Sequence, residues 1–161
     1  MQDAETPVIQ DLEKKNISFR IFKHPGPIHS LEQAASERGQ IPDQVVRSIV
    51  FRISEDNYVM VLINGARQVA WPSLRRYLAQ SRLTMATENE VLKATGYPLG
   101  AVSPFGLPSP MRILVDQNVL KQEEISIGSG IRYVTVIMKT VDLLHNLGSV
   151  EVGDFAGEVK K

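Results

Sequence analysis

The stretch with the most unusual chemical character covers residues 96–108, which contain three glycines, three prolines and no charged residue. Proline fixes φ and removes a backbone donor, whereas glycine opens positive φ, so this run cannot be a regular helix or a central strand. It is nevertheless too apolar for an ordinary solvated loop, because it also holds Tyr97, Leu99, Val102, Phe105 and Leu107. Such a rigid loop can present backbone N–H and C=O groups to a small ligand, with a hydroxyl from Ser103. The alternative is a buried structural crossover between strands.

Arg47 is the second candidate, because it is a charged residue in an otherwise apolar predicted strand. Side chains alternate across a strand, so Arg47 shares a face with Val45, Ile49 and Phe51. A guanidinium on that face needs an anionic partner or a cleft. The alternatives are a pair with an internal carboxylate, or a side chain that reaches water from the start of the strand.

Several familiar catalytic and binding signatures are missing from the sequence. It has no cysteine, which excludes disulfides, thiolate catalysis and cysteine-ligated metals. The histidines, His24, His29 and His145, have no clear metal-ligand spacing, and Ser103 lacks the flanking glycines of a nucleophile elbow. No P-loop occurs, and the glycines at 128 and 130 favour a tight turn over a dinucleotide site. The sequence therefore predicts no metal, no cofactor and no serine triad.

Capping signals and apolar periodicity predict the elements that would position these residues. Thr6-Pro7 starts the first helix, and Ser30 with Gln33 and Thr87 with Glu90 have the form of capping boxes. The predicted helices are residues 7–15, 31–39, 71–78, 88–96 and 140–144. The predicted strands are residues 17–22, 45–52, 57–64, 111–115, 125–127, 133–138 and 150–152.

The order of these elements predicts an α/β fold of the α+β type. Many strand pairs are joined too tightly for the crossovers that parallel pairing needs. We therefore expect a mixed, mostly antiparallel sheet with helices packed outside. Residues 1–161 should form a single domain with its core at about residues 6–152 and a frayed tail at 157–161.

Charge and composition limit the classes of partner. Lysine plus arginine and aspartate plus glutamate balance at 18 each, whereas a protein that wraps long nucleic acid by charge alone is usually basic. The acidic start of the sequence is unlike a signal peptide, and no run reaches the roughly 20 apolar residues of a membrane span. We expect a cytoplasmic protein that contacts no membrane.

Three islands of sequence resemble the YbaK/ProX family of free-standing aminoacyl-tRNA deacylases, whose domain also occurs as the editing insertion of bacterial prolyl-tRNA synthetases. Residues 42–50 are similar to the family's lysine-bearing strand, and residues 95–106 carry its Gly-x-x-x-Pro loop as Gly100 and Pro104. Residues 127–132 are similar to its C-terminal turn. The resemblance covers almost the whole chain and implies the prolyl-tRNA synthetase-associated fold.

Two positions depart from the family pattern. Arg47 stands where the family usually has lysine, and a planar guanidinium is not a conservative replacement at a tight site. Gly128 stands where serine is frequent, with a hydroxyl one residue later at Ser129. Ser48 stands where threonine is common and keeps the hydroxyl.

The resemblance implies that the protein hydrolyses the ester of a mischarged tRNA in trans. The expected substrate is tRNA-Pro carrying a small amino acid such as alanine, held by backbone atoms of the 100–104 loop, while the cation at position 47 contacts the phosphate of the terminal nucleotide. No metal or protein nucleophile is implied, since a tRNA hydroxyl would activate the water. The implied catalytic residues are Arg47, Gly100, Ser103 and Pro104. The implied substrate-binding residues are His24, Ser48, Ala101, Val102, Phe105, Gly106, Gly128, Ser129 and Gly130.

These residues are expected to meet in one cleft. Arg47, the 100–104 loop and the 128–130 turn should line it, with His24 near its rim. The expected partners are the aminoacylated 3′ end of tRNA and a synthetase, and the chain should be a monomer or a weak homodimer. The alternative is a non-catalytic module of the same fold that binds aminoacyl-tRNA or a small ligand, which the departures at Arg47 and Gly128 favour.

Overall fold

In the computed structural model, which describes residues 5–159, ten strands form three sheets with five helices around them. The helices are α1 (Pro7–Lys14), α2 (Leu31–Glu37), α3 (Trp71–Leu78), α4 (Glu88–Thr95) and α5 (Thr140–Asn146). The strands are β1 (Phe19–Lys23), β2 (Val46–Ser54), β3 (Asn57–Asn64), β4 (Arg67–Val69), β5 (Thr84–Met85), β6 (Arg112–Asp116), β7 (Glu124–Gly128), β8 (Val134–Lys139), β9 (Val150–Gly153) and β10 (Ala156–Val159).

The largest sheet has the strand order β5-β2-β3-β6-β9. Its β3–β6 and β6–β9 pairs are parallel and its other pairs are antiparallel. A second sheet, β1-β8-β7, and a third, β10-β4, are antiparallel. The mixed α/β class is thus confirmed, although the strands divide among three sheets instead of one. A single bridge between Val45 and Ser126 joins the two larger sheets.

Strand β3 is buried on both faces and separates two hydrophobic clusters. Met60 and Leu62 point into a cluster that combines residues of the two larger sheets with the apolar side of α1. Val59 and Val61 alternate with them and belong to the second cluster, which includes α3. The sequence of a strand that is covered on both faces is a nearly continuous apolar run, as it is in β3.

Helix α1 holds both the loop and the turn that the sequence analysis singled out. Its N-cap residue Thr6 accepts the N–H of Ile9 at 3.2 Å and donates its hydroxyl to the carbonyl of Ser129 at 2.6 Å. One turn later, the Asp11 carboxylate accepts the N–H of Gly106 at 2.9 Å. The capping residue of α1 therefore also fixes the turn, and Asp11 fixes the end of the loop.

The expected frayed tail at residues 157–161 is wrong for the part that the structure describes. Strand β10 pairs with β4, and residues 160 and 161 lie outside the described residues. The buried Asp116 carboxylate accepts the N–H groups of Phe155 at 2.8 Å and Ala156 at 3.0 Å. Phe155 packs into the second cluster, so burial and hydrogen bonds hold the segment that leads into β10. Within residues 5–159, no helix has the length and apolar character needed to cross a bilayer.

Candidate functional site

A cavity of about 300 Å³ lies where the start of β2, the 100–104 loop, the β7–β8 hairpin and the end of α2 meet. It brings together five of the residues that the sequence analysis selected: Arg47, Ser48, Gly100, Val102 and Gly128. The other lining residues are Ile28, Arg38, Val45, Val46, Ser126, Ile127, Tyr133, Val134 and Thr135. Residues from three segments distant in sequence thus contribute to one cavity wall.

Gly128 allows the loop to pack directly against strand β7. A Cβ atom at this position would lie 2.2 Å from the carbonyl oxygen of Val102 and 2.8 Å from the carbonyl of Ala101. The next glycine, Gly130, donates its N–H to the Ala101 carbonyl at 2.9 Å. The contact is between two backbones, so any side chain at position 128 requires the loop to move.

Several predicted site residues shape the loop from behind instead of lining the cavity. Ser103 is fully buried, and its hydroxyl accepts the N–H of Phe105 at 3.2 Å. Ala101 and Phe105 are also fully buried. Pro104 and Gly106 line a second, open groove of about 810 Å³. None of these residues lines the cavity, and the bond from Phe105 to the Ser103 hydroxyl acts within the loop itself.

The Tyr97 hydroxyl secures the far end of the loop. It lies 2.7 Å from the Phe105 carbonyl and 3.0 Å from the Gly106 carbonyl. Burial, reinforced by the negative charge of Asp11, raises the pKa of Tyr97, which keeps the hydroxyl protonated as a donor. At Gly106, which has a φ of 69°, an added Cβ would lie 2.5 Å from this same hydroxyl.

The hydroxyl of Ser129 is used within the turn. It donates to the Val134 carbonyl at 2.7 Å and accepts the N–H of Ile131 at 3.2 Å, and the residue is fully buried. It therefore does not replace, inside the cavity, the serine hydroxyl that the resemblance leads one to expect at position 128. Gly130 likewise acts through its backbone, in the contact to Ala101.

Arg47 lines the cavity but is anchored by backbone carbonyls. Its Nε donates to the Gly65 carbonyl at 3.2 Å, and its Nη2 donates to the Arg67 carbonyl. Burial lowers the pKa of Arg47. The internal carboxylate considered from the sequence is not its partner. The Asp43 carboxylate pairs with Arg67 at 2.9 Å.

Ser48 provides a buried polar atom on the cavity wall. Its Oγ is inaccessible to solvent and has no hydrogen-bond partner in the part of the chain that the structure describes. Buried hydroxyls are normally paired, and an unpaired one costs free energy. A ligand atom would reach this hydroxyl only after a change of the Ser48 rotamer, because the oxygen is shielded from solvent in this conformation.

The sequence analysis did not find Arg38, which is a second cation on the cavity wall. Its Nη1 donates to the Ser126 hydroxyl at 2.8 Å and its Nε donates to Nε2 of His24 at 3.0 Å. His24, expected near the rim, lies behind Arg38 with a side chain that is 0% exposed. The sequence feature that could have indicated a polar contact here was Ser126, a polar residue between two isoleucines of a buried strand.

The arrangement is suited to binding and orienting an anionic or polar ligand. Two arginines and the hydroxyl-bearing residues Ser48, Ser126 and Thr135 line the wall, and no residue of 5–159 with a carboxylate or an imidazole is part of it. The half-exposed ring of Tyr133 also lines the cavity. The described residues contain no cluster of three or more histidines and carboxylates that could hold a metal.

Sequence comparison identifies relatives among proline–tRNA ligases. The chain is 31% identical over 119 residues to the enzyme of Kosmotoga olearia, which covers 74% of this chain and 19% of that protein. It is 34% identical over 104 residues to the enzyme of Thermotoga neapolitana, covering 64% of this chain and 17% of that protein. The chain thus spans about a fifth of the length of these relatives.

The fold and a family model agree with these relatives. A solved structure of a candidate trans-editing enzyme for prolyl-tRNA synthetase superposes with a TM-score of 0.85 at 24% identity, covering 94% of this chain and 96% of that one. A likeness at this identity shows the fold alone. The family model for the aminoacyl-tRNA editing domain matches residues 25–145, which include every cavity-lining residue and most of the chain. The chain therefore belongs to the aminoacyl-tRNA editing domain family.

Proposed function

We propose that this protein is a trans-editing deacylase that hydrolyses the ester of a mischarged tRNA. Its substrate would be tRNA-Pro carrying a small amino acid such as alanine. Membership of the editing-domain family supports the reaction class, and the proline–tRNA ligase relatives support the choice of tRNA. The protein would act in the cytoplasm on tRNA charged by a synthetase, as a monomer or a weak homodimer.

The observation that carries this proposal is the cavity beside the 100–104 loop. The 100–104 loop offers the backbone polar atoms of Gly100 and Val102 to the acyl group. Arg47 and Arg38 supply positive charge for an anionic part of the nucleotide. The half-exposed ring of Tyr133 is suited to stack on the terminal base, as aromatic residues do on unpaired nucleotides.

The proposed reaction is addition of water to the ester carbonyl. The water oxygen forms the new C–O bond, the bond to the ribose oxygen breaks, and a proton passes to that oxygen. The products are the free amino acid and a tRNA with an intact terminal hydroxyl. Because no carboxylate or imidazole among residues 5–159 lines the cavity, the protein would contribute orientation and polarisation. A hydroxyl of the tRNA itself would activate the water, as the family resemblance implies.

A panel of mischarged tRNAs, tested with the purified chain, decides whether the protein catalyses deacylation. Release of alanine from tRNA-Pro above the rate without protein supports the proposal, and retention of proline on the same tRNA shows selectivity. The rate should be unchanged in EDTA, because the proposed reaction requires no metal. Failure to release any amino acid from any member of the panel would contradict the proposal.

Ser48→Ala tests whether the cavity is the site of this activity. The Ser48 hydroxyl has no partner in the described structure, so its removal should leave the melting temperature unchanged or slightly raised. If it binds the ligand, deacylation should fall by about fivefold to tenfold, the typical effect of one lost hydrogen bond. Ser36→Ala, on the exposed surface of α2, is the matched control. Full activity in Ser48→Ala would exclude a role for this hydroxyl.

A second candidate function is a binding module without turnover. The anchoring of Arg47 to two backbone carbonyls favours it, because that guanidinium is less free to follow a reacting group than the lysine of the family pattern. Saturable binding of aminoacyl-tRNA, measured in parallel with the panel, without release of amino acid would support the module.

A further inference from the structure

Arg38 lies at the end of α2, and it lines the cavity together with Arg47, which occupies the family's cation position. It follows the last helical residue, Glu37, and its backbone N–H still donates to the helix carbonyls of Ala34 at 3.3 Å and Ala35 at 3.1 Å. Its side chain is held at two points, by Nε2 of His24 at 3.0 Å and the hydroxyl of Ser126 at 2.8 Å. The position of this cation is therefore fixed before any ligand arrives.

His24 can hold Arg38 only in one tautomer. A guanidinium has N–H donors and no acceptor, so Nε2 of His24 must be the unprotonated nitrogen. The proton then lies on Nδ1, which donates to the Glu37 carboxylate at 2.6 Å. Glu37 also accepts from the Gln33 amide at 2.9 Å, and its hydrogen bonds to His24 and Gln33 lower the pKa of Glu37. The chain of contacts runs from Glu37 through His24 to Arg38.

The Arg38 guanidinium has no carboxylate in direct contact in the described structure, since the Glu37 carboxylate is bound to His24. Burial lowers the pKa of Arg38 to about 10, which reflects the loss of water around its charge. A guanidinium has five N–H donors, and only Nε and one Nη1 donor are paired here. Arg47 lies on the same cavity wall, and no residue of 5–159 with a carboxylate lines it. The cavity wall thus carries two guanidinium groups and no carboxylate, while Glu37 acts on Arg38 only from behind His24.

We propose that Arg38 is a binding residue for an anionic oxygen group of the ligand, and that His24 and Glu37 are its positioning residues. The inference rests on the proposed function for the identity of the ligand and deepens it. The group is either the phosphate of the terminal nucleotide or, where the acyl group is acidic instead of alanine, its side-chain carboxylate. Two guanidiniums on one small cavity are suited to either, because charge-assisted hydrogen bonds to anionic oxygens are stronger than neutral ones.

Equilibrium binding of small probes tests the inference without any need for turnover. Adenosine 5′-monophosphate is compared with adenosine, and acetate with acetamide, by NMR titration of the complete chain. We expect one anionic probe to bind at least tenfold more tightly than its neutral counterpart. Arg38→Gln should remove that preference, a loss of about tenfold to a hundredfold in affinity. Arg76→Gln, an equal change of charge at an exposed position of α3, should retain it.

The positioning role of His24 is tested by two amide substitutions. His24→Gln places a carbonyl oxygen near the position of Nε2 and can still accept from Arg38, whereas His24→Asn retains only a donor near the position of Nδ1. If His24 acts through Arg38, His24→Gln should keep most of the anion preference and His24→Asn should lose it. Equal losses at equal melting temperatures would show that His24 has a structural role only.

The outcomes separate this inference from the proposed function. If wild type deacylates no tRNA but prefers an anionic probe, and Arg38→Gln loses that preference, the proposed function is refuted and the inference is supported. If wild type and Arg38→Gln deacylate tRNA at the same rate, the proposed function stands and the inference is overturned. The inference is also overturned if wild type shows no preference for either anionic probe, or if Arg38→Gln retains it.

Discussion

Substitution of Gly128 by alanine is the sharpest test of how the cavity is built. The added Cβ would lie 2.2 Å from the Val102 carbonyl oxygen, whereas ordinary van der Waals contact begins near 3.4 Å. The obstructing atoms belong to the backbone of Ala101 and Val102, so no side-chain rotation relieves the contact. The loop or the strand must therefore move by about 1 Å.

The cost of such a displacement can be estimated from overpacked cores. Inserting a methyl group into a well-packed interior costs about 1–3 kcal/mol. For a protein of this size, 1 kcal/mol corresponds to about 2–4 °C in melting temperature, so we expect a decrease of roughly 2–12 °C. Deacylation should fall further than stability alone accounts for, because Val102 lines the cavity and moves with the loop. Gly128→Ser, the residue suggested by the family pattern, should behave in the same way.

Thermal denaturation and deacylation of the same protein samples provide the measurement. Gly26→Ala is the matched control, because an added Cβ at Gly26 has no atom within 4 Å. The reasoning is refuted if Gly128→Ala melts and deacylates as Gly26→Ala does. A crystal structure of Gly128→Ala with an unshifted loop would refute it directly.

Three further substitutions test other contacts of the site and fold. Arg47→Ala leaves two backbone carbonyls without a donor and should cost about 1–3 kcal/mol of stability and tenfold or more in deacylation, with Arg47→Lys intermediate; wild-type values for both quantities would contradict this. Tyr97→Phe removes the donor that secures the loop and should lower the melting temperature by roughly 2–8 °C, whereas an unchanged value would show that the hydroxyl is dispensable. The Arg112 guanidinium, assisted by the Tyr77 hydroxyl, holds the pKa of Glu151 at about 2, below the usual 4.3 or so of glutamate. Its stabilisation is thus present above about pH 4.3 and lost as pH falls towards 2, so the melting temperature of wild type should fall more over this range than that of Glu151→Gln; parallel curves would argue against the pair.

Local chemistry in the sequence determined the helices and the main strands. Thr6-Pro7 caps α1, and Thr87 with Glu90 forms the capping box at the start of α4. The apolar runs in β2 and β3 and the turn between them predicted the central hairpin. These features depend on contacts within a few residues, which is why their residue types alone predict them. Residue islands of the family pattern likewise led to the fold class and to the three segments of the cavity.

The roles of individual side chains depended on contacts between distant segments. Ser103 and Ser129 looked alike in sequence as hydroxyls in glycine-containing loops, yet both are paired inside the fold. Arg38 looked like an ordinary basic residue at a helix end, where such residues commonly occur. It becomes a cavity cation only because α2 lies beside β7 and Ser126 accepts one of its donors. No pattern along the chain encodes that contact, which spans 88 positions.

The C-terminal segment shows the same difference between what local sequence predicts and what contacts with distant residues decide. The short run of small and charged residues at 157–161 predicts fraying, because its own sequence offers little apolar surface. In the structure, Asp116 supplies hydrogen-bond acceptors, and β4 supplies a pairing edge for β10. The sequence alone thus determined which segments form helices and strands through local capping, apolar periodicity and turn signals. Tertiary structure decided which polar groups are paired inside the fold and which face the cavity, because each buried donor or acceptor needs a partner from another part of the chain.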